Sequence, residues 1–150
     1  MMSHPKVSLI IPFYNDVDRL LERLPLALNF FNEQDYKSEI IIVDDGSETD
    51  HTDRIQSQFP HIQVIRYTQN QGKGGAVKTG VLAASGKYIF YTDADLPFGM
   101  EPITRALDYL ERKEFDLVIG DRGLPGSNYH IAQTKLRRLA SNIFTAFIGR

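Results

Sequence analysis

The sequence predicts an α/β fold in which helices cover both faces of a mostly parallel sheet. Short runs rich in isoleucine and valine alternate along the chain with segments of helical periodicity. Polar or glycine-rich stretches separate these segments, and no internal repeat or long linker divides the chain. Alternating strands and helices of this kind pack in three layers, α/β/α, around a central sheet. We therefore expect a single domain over residues 1–150.

Five strands and four helices are expected in alternation. The strands coincide with runs of β-branched and aromatic residues, and most of the helices with apolar residues three and four positions apart. The expected strands are residues 7–12, 39–43, 63–66, 87–92 and 117–120, and the expected helices are residues 17–31, 49–58, 76–84 and 102–113. Polar or glycine-containing loops follow the strands, and the candidate functional residues lie in them.

A few residues predict where the helices begin, bend and end. Asn15 or Asp16 is expected to cap the first helix, because both side chains can accept from the unpaired N–H groups of its first turn. Pro25 predicts a kink or break near Leu24, since proline has no N–H to donate. Gly86 is expected to end the third helix in the left-handed conformation that glycine adopts most easily.

Composition excludes several classes of protein. The net charge of −2 provides no basic field for binding nucleic acid. The absence of cysteine excludes disulfides and cysteine-ligated zinc. No apolar run is long enough to span a bilayer, and the first residues lack the core of a signal peptide, so we expect a cytoplasmic location at the cytosolic face of a membrane. Residues 132–150 form an amphipathic segment that no further element follows, so we expect the C-terminal part of the domain to be missing.

The first candidate site follows the fourth strand, since ligands of open α/β sheets bind at the carboxyl ends of the strands. Asp93 and Asp95 stand there with Ala94 between them. Alternation in an extended segment would place both carboxylates on one side, where a cation must offset their repulsion. Oxygen ligands suit Mg²⁺ or Mn²⁺ bridging to a phosphate. The structural alternative is a turn in which both aspartates cap the helix after Pro97.

The second candidate is the glycine-rich segment at residues 69–75. Its backbone N–H groups can approach an anion closely, and Lys73 adds a positive charge. Its spacing matches neither a P-loop nor the dinucleotide-binding glycine pattern, and a flexible turn without a ligand is an equally good interpretation. Asp44 and Asp45 offer acceptors for a base or a ribose hydroxyl, or they serve only a turn. Tyr14 can stack on a base.

Together these strings resemble the family 2 glycosyltransferases. The matching strings are VSLIIPFYN at residues 7–15, IVDDGS at 42–47, NQGKGGAVKTG at 70–80 and FYTDADLP at 90–97. They occur in the family's order and at its spacing, and this ordered set is highly specific. Within the family the chain is most similar to the polyprenyl- and dolichyl-phosphate glycosyltransferases, and among these to the glucosyltransferases. The resemblance implies the GT-A fold of the nucleotide-diphospho-sugar transferases.

The resemblance also implies roles for individual residues. Asp93 and Asp95 would hold Mg²⁺ or Mn²⁺, and Lys73 would act beside them in catalysis. The residues implied at the donor site are Pro12, Tyr14, Asn15, Asp44, Asp45, Gly72, Lys73, Asp93 and Ala94, and those implied at the acceptor phosphate are Arg122, Arg137 and Ser141. The alternative for the basic residues around Arg137 is a solvated helix face or a cationic patch toward anionic lipid.

The implied reaction moves glucose from UDP-glucose, a nucleotide-sugar donor, onto a lipid-linked phosphate by one in-line displacement with inversion. The metal would neutralise the leaving diphosphate. An anionic phosphate acceptor needs no general base, and no candidate base follows Asp121. Peripheral contact with a membrane is compatible with this function, and nucleic acid is not an expected partner. The alternatives are GDP-mannose as donor, a sugar as acceptor, an inactive nucleotide-binding fragment, and a phosphatase of the haloacid dehalogenase type.

Overall fold

The computed structural model describes residues 4–120, which form a four-stranded sheet with helices on both faces. The elements are β1 (Val7–Phe13), α1 (Val17–Asn32), β2 (Ser38–Asp44), α2 (Thr52–Gln58), β3 (Gln63–Arg66), α3 (Gly72–Ala83), β4 (Tyr88–Tyr91) and α4 (Glu101–Glu111). The strands are all parallel and lie in the order β3-β2-β1-β4. This confirms the predicted parallel sheet with flanking helices.

The sheet separates two apolar cores, one on each face. Successive residues of β1 alternate between them, with Leu9 and Ile11 in the larger core and Ile10 in the smaller one. The larger core includes residues of α1, α2 and α4, whereas α3 contributes Ala76 to the smaller one. All seven residues of β1 are buried. Burial on both faces explains why every residue of this strand except Ser8 is apolar.

Helix α1 differs from the prediction at its proline. The helix continues from Val17 to Asn32 through Pro25, so the break expected near Leu24 does not occur. Pro25 itself is exposed, while Leu24 and Ala27 on either side of it are buried against the sheet. Burial of the apolar face before and after the proline offsets the one backbone hydrogen bond that proline cannot make.

Helix α3 begins at Gly72 rather than at the predicted Ala76, so the glycine-rich segment is its first turn and not a loop. The low helix propensity of glycine concealed this from the sequence. The prediction of a left-handed Gly86 was also wrong, since its φ is not positive. A Cβ at Gly86 would lie 2.6 Å from the backbone nitrogen of Ser8. Glycine is needed here because the α3–β4 connection passes against β1.

The fifth strand predicted at residues 117–120 is not formed, and these residues have no regular secondary structure. Leu117 is 72% exposed and Ile119 is 76% exposed. A strand needs a neighbour for its backbone N–H and C=O groups, and within residues 4–120 no strand pairs with this segment. The apolar run at residues 117–120 is typical of a strand, but an apolar run alone does not provide a neighbouring strand with which to pair. In the same part of the chain, none of the helices has the length and apolar character needed to cross a membrane.

Candidate active site

The carboxyl ends of the strands and the first turn of α3 border a cavity of about 310 Å³. Its lining residues are Pro12, Phe13, Tyr14, Asp45, Asn70, Gly72, Lys73 and Asp93. All of these except Phe13 and Asn70 were predicted at the donor site from the sequence. Parallel strands end at the same edge of a sheet, which is why residues so distant in the chain meet there. Three further predicted residues, Asn15, Asp44 and Ala94, do not line the cavity.

Asp44 lies beneath the cavity, with a side chain that is only 1% exposed. Its Oδ1 accepts a hydrogen bond from the Ser47 N–H at 2.8 Å, and its Oδ2 lies 3.3 Å from Nε of Arg66. Arg66 also donates from Nη2 to the carbonyl of Ser47 at 2.9 Å. A buried carboxylate is tolerated where it is both ion-paired and hydrogen-bonded. Asp44 therefore fixes the loop after β2 through Oδ1 and the Arg66 ion pair, while its buried Oδ2 makes no hydrogen bond.

Asn15 joins the loop after β1 to the loop after β2. Its backbone is left-handed, with φ of 55°, a conformation that asparagine tolerates better than most residues. Its N–H donates to Oγ of Ser47 at 2.9 Å, and its Oδ1 accepts from the N–H of Glu48 at 2.9 Å. The first-helix cap predicted at Asn15 or Asp16 is not made, because Asp16 precedes α1 without a side-chain cap bond.

Gly46 allows the loops after β2 and β3 to touch. Its φ is +74°, and a Cβ there would lie 2.6 Å from the backbone nitrogen of Asn70. Beside this contact, Oδ1 of Asp45 accepts from the N–H of Gln71 at 2.9 Å, which holds the start of α3 at the cavity.

Burial raises the pKa of the Tyr67 phenol, and the negative charge of Asp45 acts in the same direction, so the phenol stays neutral.

Asp93, Ala94 and Asp95 lie in a turn after β4. The N–H of Leu96 donates to the carbonyl of Asp93 at 3.0 Å, so the extended alternation assumed from the sequence does not apply here. Ala94 packs against the larger core. Neither aspartate caps the next helix, since α4 begins at Glu101 without a side-chain cap bond. The structure therefore does not support the alternative in which these aspartates are helix caps.

The charges around this turn are incompletely satisfied. Nζ of Lys73 forms an ion pair with Oδ1 of Asp93, and both side chains are well exposed, at 57% and 40%. The same Nζ lies 5.9 Å from the centroid of the Tyr91 ring. Oδ1 of Asp95 is buried and has no hydrogen-bond partner. A buried carboxylate oxygen without a partner is costly, and a bound cation would satisfy it.

The donor set fits a hard divalent cation. Carboxylate oxygens are the ligands that Mg²⁺ and Mn²⁺ prefer. Within residues 4–120 no third histidine, aspartate or glutamate gathers with the two aspartates into a metal-binding group. A cation at Asp93 and Asp95 would therefore need its other oxygens from water or from a phosphate, which is the usual arrangement for Mg²⁺ beside a nucleotide. Arg122, Arg137 and Ser141, predicted to bind the acceptor phosphate, lie outside the described residues.

Three contributors to the site were missed in the sequence, namely Phe13, Gly46 and Asn70. Gly46 was read only as part of a turn, and its contact with Asn70 lies 24 positions away in the chain. Asn70 also accepts from the N–H of Gly72 at 3.0 Å, which helps to start α3. An available signal was the Asp-Gly pair directly after a strand, since a glycine there often marks left-handed backbone or a close approach.

Comparison with known proteins places residues 8–147 within the profile of Glycosyl transferase family 2. The dolichyl-phosphate beta-glucosyltransferase of Dictyostelium discoideum is 34% identical, over 95% of this chain and 48% of its own length. The enzyme of the same name from Saccharomyces cerevisiae is 36% identical, over 72% of this chain and 35% of its own length. The chain thus spans less than half of the length of these relatives.

Two solved structures have the same core. The mannosyltransferase PcManGT of Pyrobaculum calidifontis, solved with GDP-Man and Mn²⁺, is 29% identical with a TM-score of 0.56, over 73% of this chain and 33% of its own. Residues 1–349 of S. aureus TarS, solved with UDP-GlcNAc, are 25% identical with a TM-score of 0.60, over 81% of this chain and 37% of that one.

Proposed function

Because the chain belongs to Glycosyl transferase family 2 and has the GT-A fold, we propose that it binds a nucleoside-diphosphate sugar at this cavity. Residues 1–150 would form one domain that carries the donor site of an inverting transferase. The observation that carries the proposal is the meeting of Asp45, Lys73 and Asp93 around one cavity at the carboxyl ends of the strands. Nucleotides bind open α/β sheets at this edge.

The walls of the cavity divide into a nucleoside side and a diphosphate side. Pro12 and Tyr14 offer apolar and aromatic surface on which a base can stack, and Tyr14 is 47% exposed. Asp45 can accept from a ribose hydroxyl or a base N–H, since Oδ2 remains for a ligand when Oδ1 holds Gln71. The diphosphate would lie at the first turn of α3, where backbone N–H groups and the Lys73 ammonium attract an anion.

Asp93 and Asp95 are the residues that would hold a divalent metal. The partnerless Oδ1 of Asp95 supports this assignment. The Mn²⁺ in the Pyrobaculum mannosyltransferase, a structural relative of this chain, supports it independently. When bound, the metal would supply a Lewis acid that neutralises negative charge on the departing diphosphate. Lys73 would add a second positive charge at the same oxygens, and its flexible stem lets the ammonium follow them.

The proposed donor is UDP-glucose and the proposed acceptor is a polyprenyl or dolichyl phosphate. The names of the relatives from Dictyostelium and yeast support the glucosyl group and the dolichyl-phosphate acceptor, since each is a dolichyl-phosphate beta-glucosyltransferase. Arg122, Arg137 and Ser141 remain the proposed contacts of the acceptor phosphate, because guanidinium groups bind phosphate oxygens in pairs. A phosphate acceptor is already an anion near neutral pH, so the chain would need no general base. The enzyme would work at the cytosolic face of a membrane.

Calorimetric titration of UDP-glucose and of GDP-mannose, each with and without Mn²⁺, tests the donor site. We expect UDP-glucose to bind only with Mn²⁺, and Asp93→Asn to abolish this binding. Asp108→Asn is the matched control, because it removes one carboxylate from the exposed face of α4 and should change nothing. Preference for GDP-mannose would move the proposal to a mannosyl donor, and binding of neither nucleotide in any condition would refute it.

Transfer of glucose to a short polyprenyl phosphate, followed by mass spectrometry, tests the acceptor. A product that carries one added hexose on the phosphate is the expected result. Transfer to a polyol-phosphate polymer instead would favour the alternative of a sugar-type acceptor, in line with the relative named poly(ribitol-phosphate) beta-glucosyltransferase from Bacillus spizizenii. Donor binding without any transfer would identify residues 1–150 as a nucleotide-binding piece that has no activity of its own.

A further inference from the structure

The ion pair between Lys73 and Asp93 crosses the cavity. Lys73 belongs to the first turn of α3, and Asp93 to the turn after β4, so two separately positioned elements meet only through these side chains at this point. Both residues line the cavity. Neither is locked in place by burial, since their side chains are 57% and 40% exposed. The contact therefore forms and breaks at little cost, as exposed ion pairs do.

The ammonium of Lys73 and a divalent metal compete for the same carboxylate. Lys73 is paired with Oδ1 of Asp93, and the Asp93 carboxylate is also one of the two that would hold the metal. A cation brought to this turn while the ammonium stays in contact meets a like charge within a few ångströms, which is unfavourable in any medium. The metal can therefore bind well only after the ammonium has left Asp93.

The cavity offers the ammonium two other places. One is the face of Tyr91, whose ring centroid already lies 5.9 Å from Nζ, and which provides a cation–π contact. The other is the diphosphate of a donor at the first turn of α3, close to the backbone of Lys73 itself. The diphosphate is the stronger partner, because it carries formal negative charge. A donor would draw the ammonium away from Asp93 and so expose the carboxylate to the metal.

We propose that Lys73 is an internal counter-cation that occupies Asp93 in the free protein and passes to the donor diphosphate when the metal binds. This inference rests on the proposed donor and metal site. Its consequence is positive coupling between metal and donor, beyond any direct contact between the two. A bound donor draws the Lys73 ammonium away from the carboxylate that the metal needs, and a bound metal releases the ammonium to the diphosphate. By linkage the coupling is reciprocal. In the free protein Lys73 lowers the affinity for metal, and in the complex it raises the affinity for the diphosphate.

The test measures Mn²⁺ binding, with no nucleotide present, to the wild-type chain and to Lys73→Met. Methionine keeps an unbranched, flexible side chain of nearly the same length but removes the charge. We expect the variant to bind Mn²⁺ about tenfold more tightly than the wild type, within the usual range of coupling effects. The same variant should bind UDP more weakly in the presence of saturating Mn²⁺, so the factor by which UDP improves Mn²⁺ binding falls. Electron paramagnetic resonance of free Mn²⁺ gives the Mn²⁺ affinity with and without UDP, and calorimetry gives the UDP affinity, so neither needs an activity assay.

Two further variants separate competition at Asp93 from a general change in charge. Lys78→Met removes one positive charge from an exposed position further along α3 and should leave both affinities near the wild-type values. Lys73→Arg restores a cation at the same place and should lower the Mn²⁺ affinity again. If Lys73→Met binds Mn²⁺ no better than the wild type, the competition is refuted while the proposed function stands. If the wild type binds Mn²⁺ neither with UDP nor without it, the proposed function fails, and the inference fails with it.

Discussion

Carboxylates at the two ends of the sheet differ in how far the protein itself satisfies their hydrogen-bonding capacity. At the amino end, Glu39 accepts hydrogen bonds from the hydroxyls of Ser8 and Ser85 and from the N–H groups of Ser85 and Gly86. Burial alone would raise the pKa of Glu39, but these hydrogen bonds together outweigh it and hold the pKa below the ordinary value of 4.5. The protein itself satisfies this charge.

At the carboxyl end, Asp93 and Asp95 are left available. Asp93 has a lysine that is more than half exposed as its ion-pair partner, and Oδ1 of Asp95 has no hydrogen-bond partner. The neighbouring loops after β2 and β3 are nevertheless fixed, through Gly46 and the network around Asp44. The difference teaches how to separate structural from functional charges in this fold. A carboxylate surrounded by backbone donors holds the chain together, whereas one with a mobile partner or none is prepared for a ligand.

The largest effect on stability is expected from Gly46→Ala, which would disrupt the contact between the loops after β2 and β3 at the carboxyl end of the sheet. The new Cβ would lie 2.6 Å from a backbone nitrogen of Asn70, in a residue with φ of +74°. We expect a loss of about 3 kcal/mol or more, since overpacking costs about 1–3 kcal/mol and left-handed backbone about 1–2 more. Urea unfolding followed by circular dichroism measures this loss.

Gly74→Ala is the matched control for that experiment. Gly74 lies in the first turn of α3, and a Cβ there would have nothing within 4 Å. The substitution should be neutral or should stabilise the chain by about 0.5–1 kcal/mol, because alanine favours a helix over glycine. Equal destabilisation by both substitutions would show that the contact between Gly46 and Asn70 does not fix the loops.

The second effect is expected at the amino end, from Glu39→Ala. The substitution leaves the hydroxyl of the fully buried Ser8 without its acceptor, so we expect a loss of about 1–3 kcal/mol at neutral pH. Because the folded pKa of Glu39 lies below 4.5, the carboxylate stabilises the fold above that pH, and the contribution disappears as the pH falls through the folded pKa. The gap between wild type and variant should therefore narrow from pH 7 to pH 3.

Glu22→Ala provides the comparison for Glu39, since Glu22 is an exposed residue of α1. It should change the free energy of unfolding by no more than about 0.5 kcal/mol. Binding of UDP-glucose with Mn²⁺ should be the same in Glu39→Ala as in the wild type at a temperature where both are folded. A loss of binding in Glu39→Ala would mean that the two ends of the sheet are not independent.

Much of the fold could be predicted because it depends on local pattern. The buried strands contain runs of apolar residues, and most of the helices show apolar residues at regular spacing, so the order of the strands and helices could be predicted. The position of the site followed from a rule about strand ends, which brought Pro12, Asp45 and Asp93 to one edge. The predictions that failed were those in which tertiary contacts override local preference. Pro25 lies inside a helix whose burial compensates for it, and Gly72 starts a helix that its own propensity disfavours.

The details of the site could not be predicted, because they depend on contacts between residues far apart in the chain. Nothing near Asp44 in the sequence indicates that Arg66 would occupy its carboxylate. Likewise, Lys73 and Asp93 are ordinary charged residues until the fold brings them together. Leu117 and Ile119 illustrate the reverse case, since the short apolar run that contains them predicts a strand, and this strand lacks a pairing partner among residues 4–120.

The smallest effect on stability is expected from Asp95→Asn, which is also the sharpest test of the comparison. Because Oδ1 of Asp95 accepts no hydrogen bond from the protein, replacing the carboxylate by an amide removes no stabilising hydrogen bond at this atom. We expect the free energy of unfolding to change by no more than about 0.5 kcal/mol, while UDP-glucose binding that depends on Mn²⁺ is lost. This is the reverse of the result expected for Glu39→Ala. A loss of more than about 2 kcal/mol would mean that the substitution removes a structural interaction. The Asp95 carboxylate would then stabilise the fold as Glu39 does, and the two ends of the sheet would differ only in the size of that contribution.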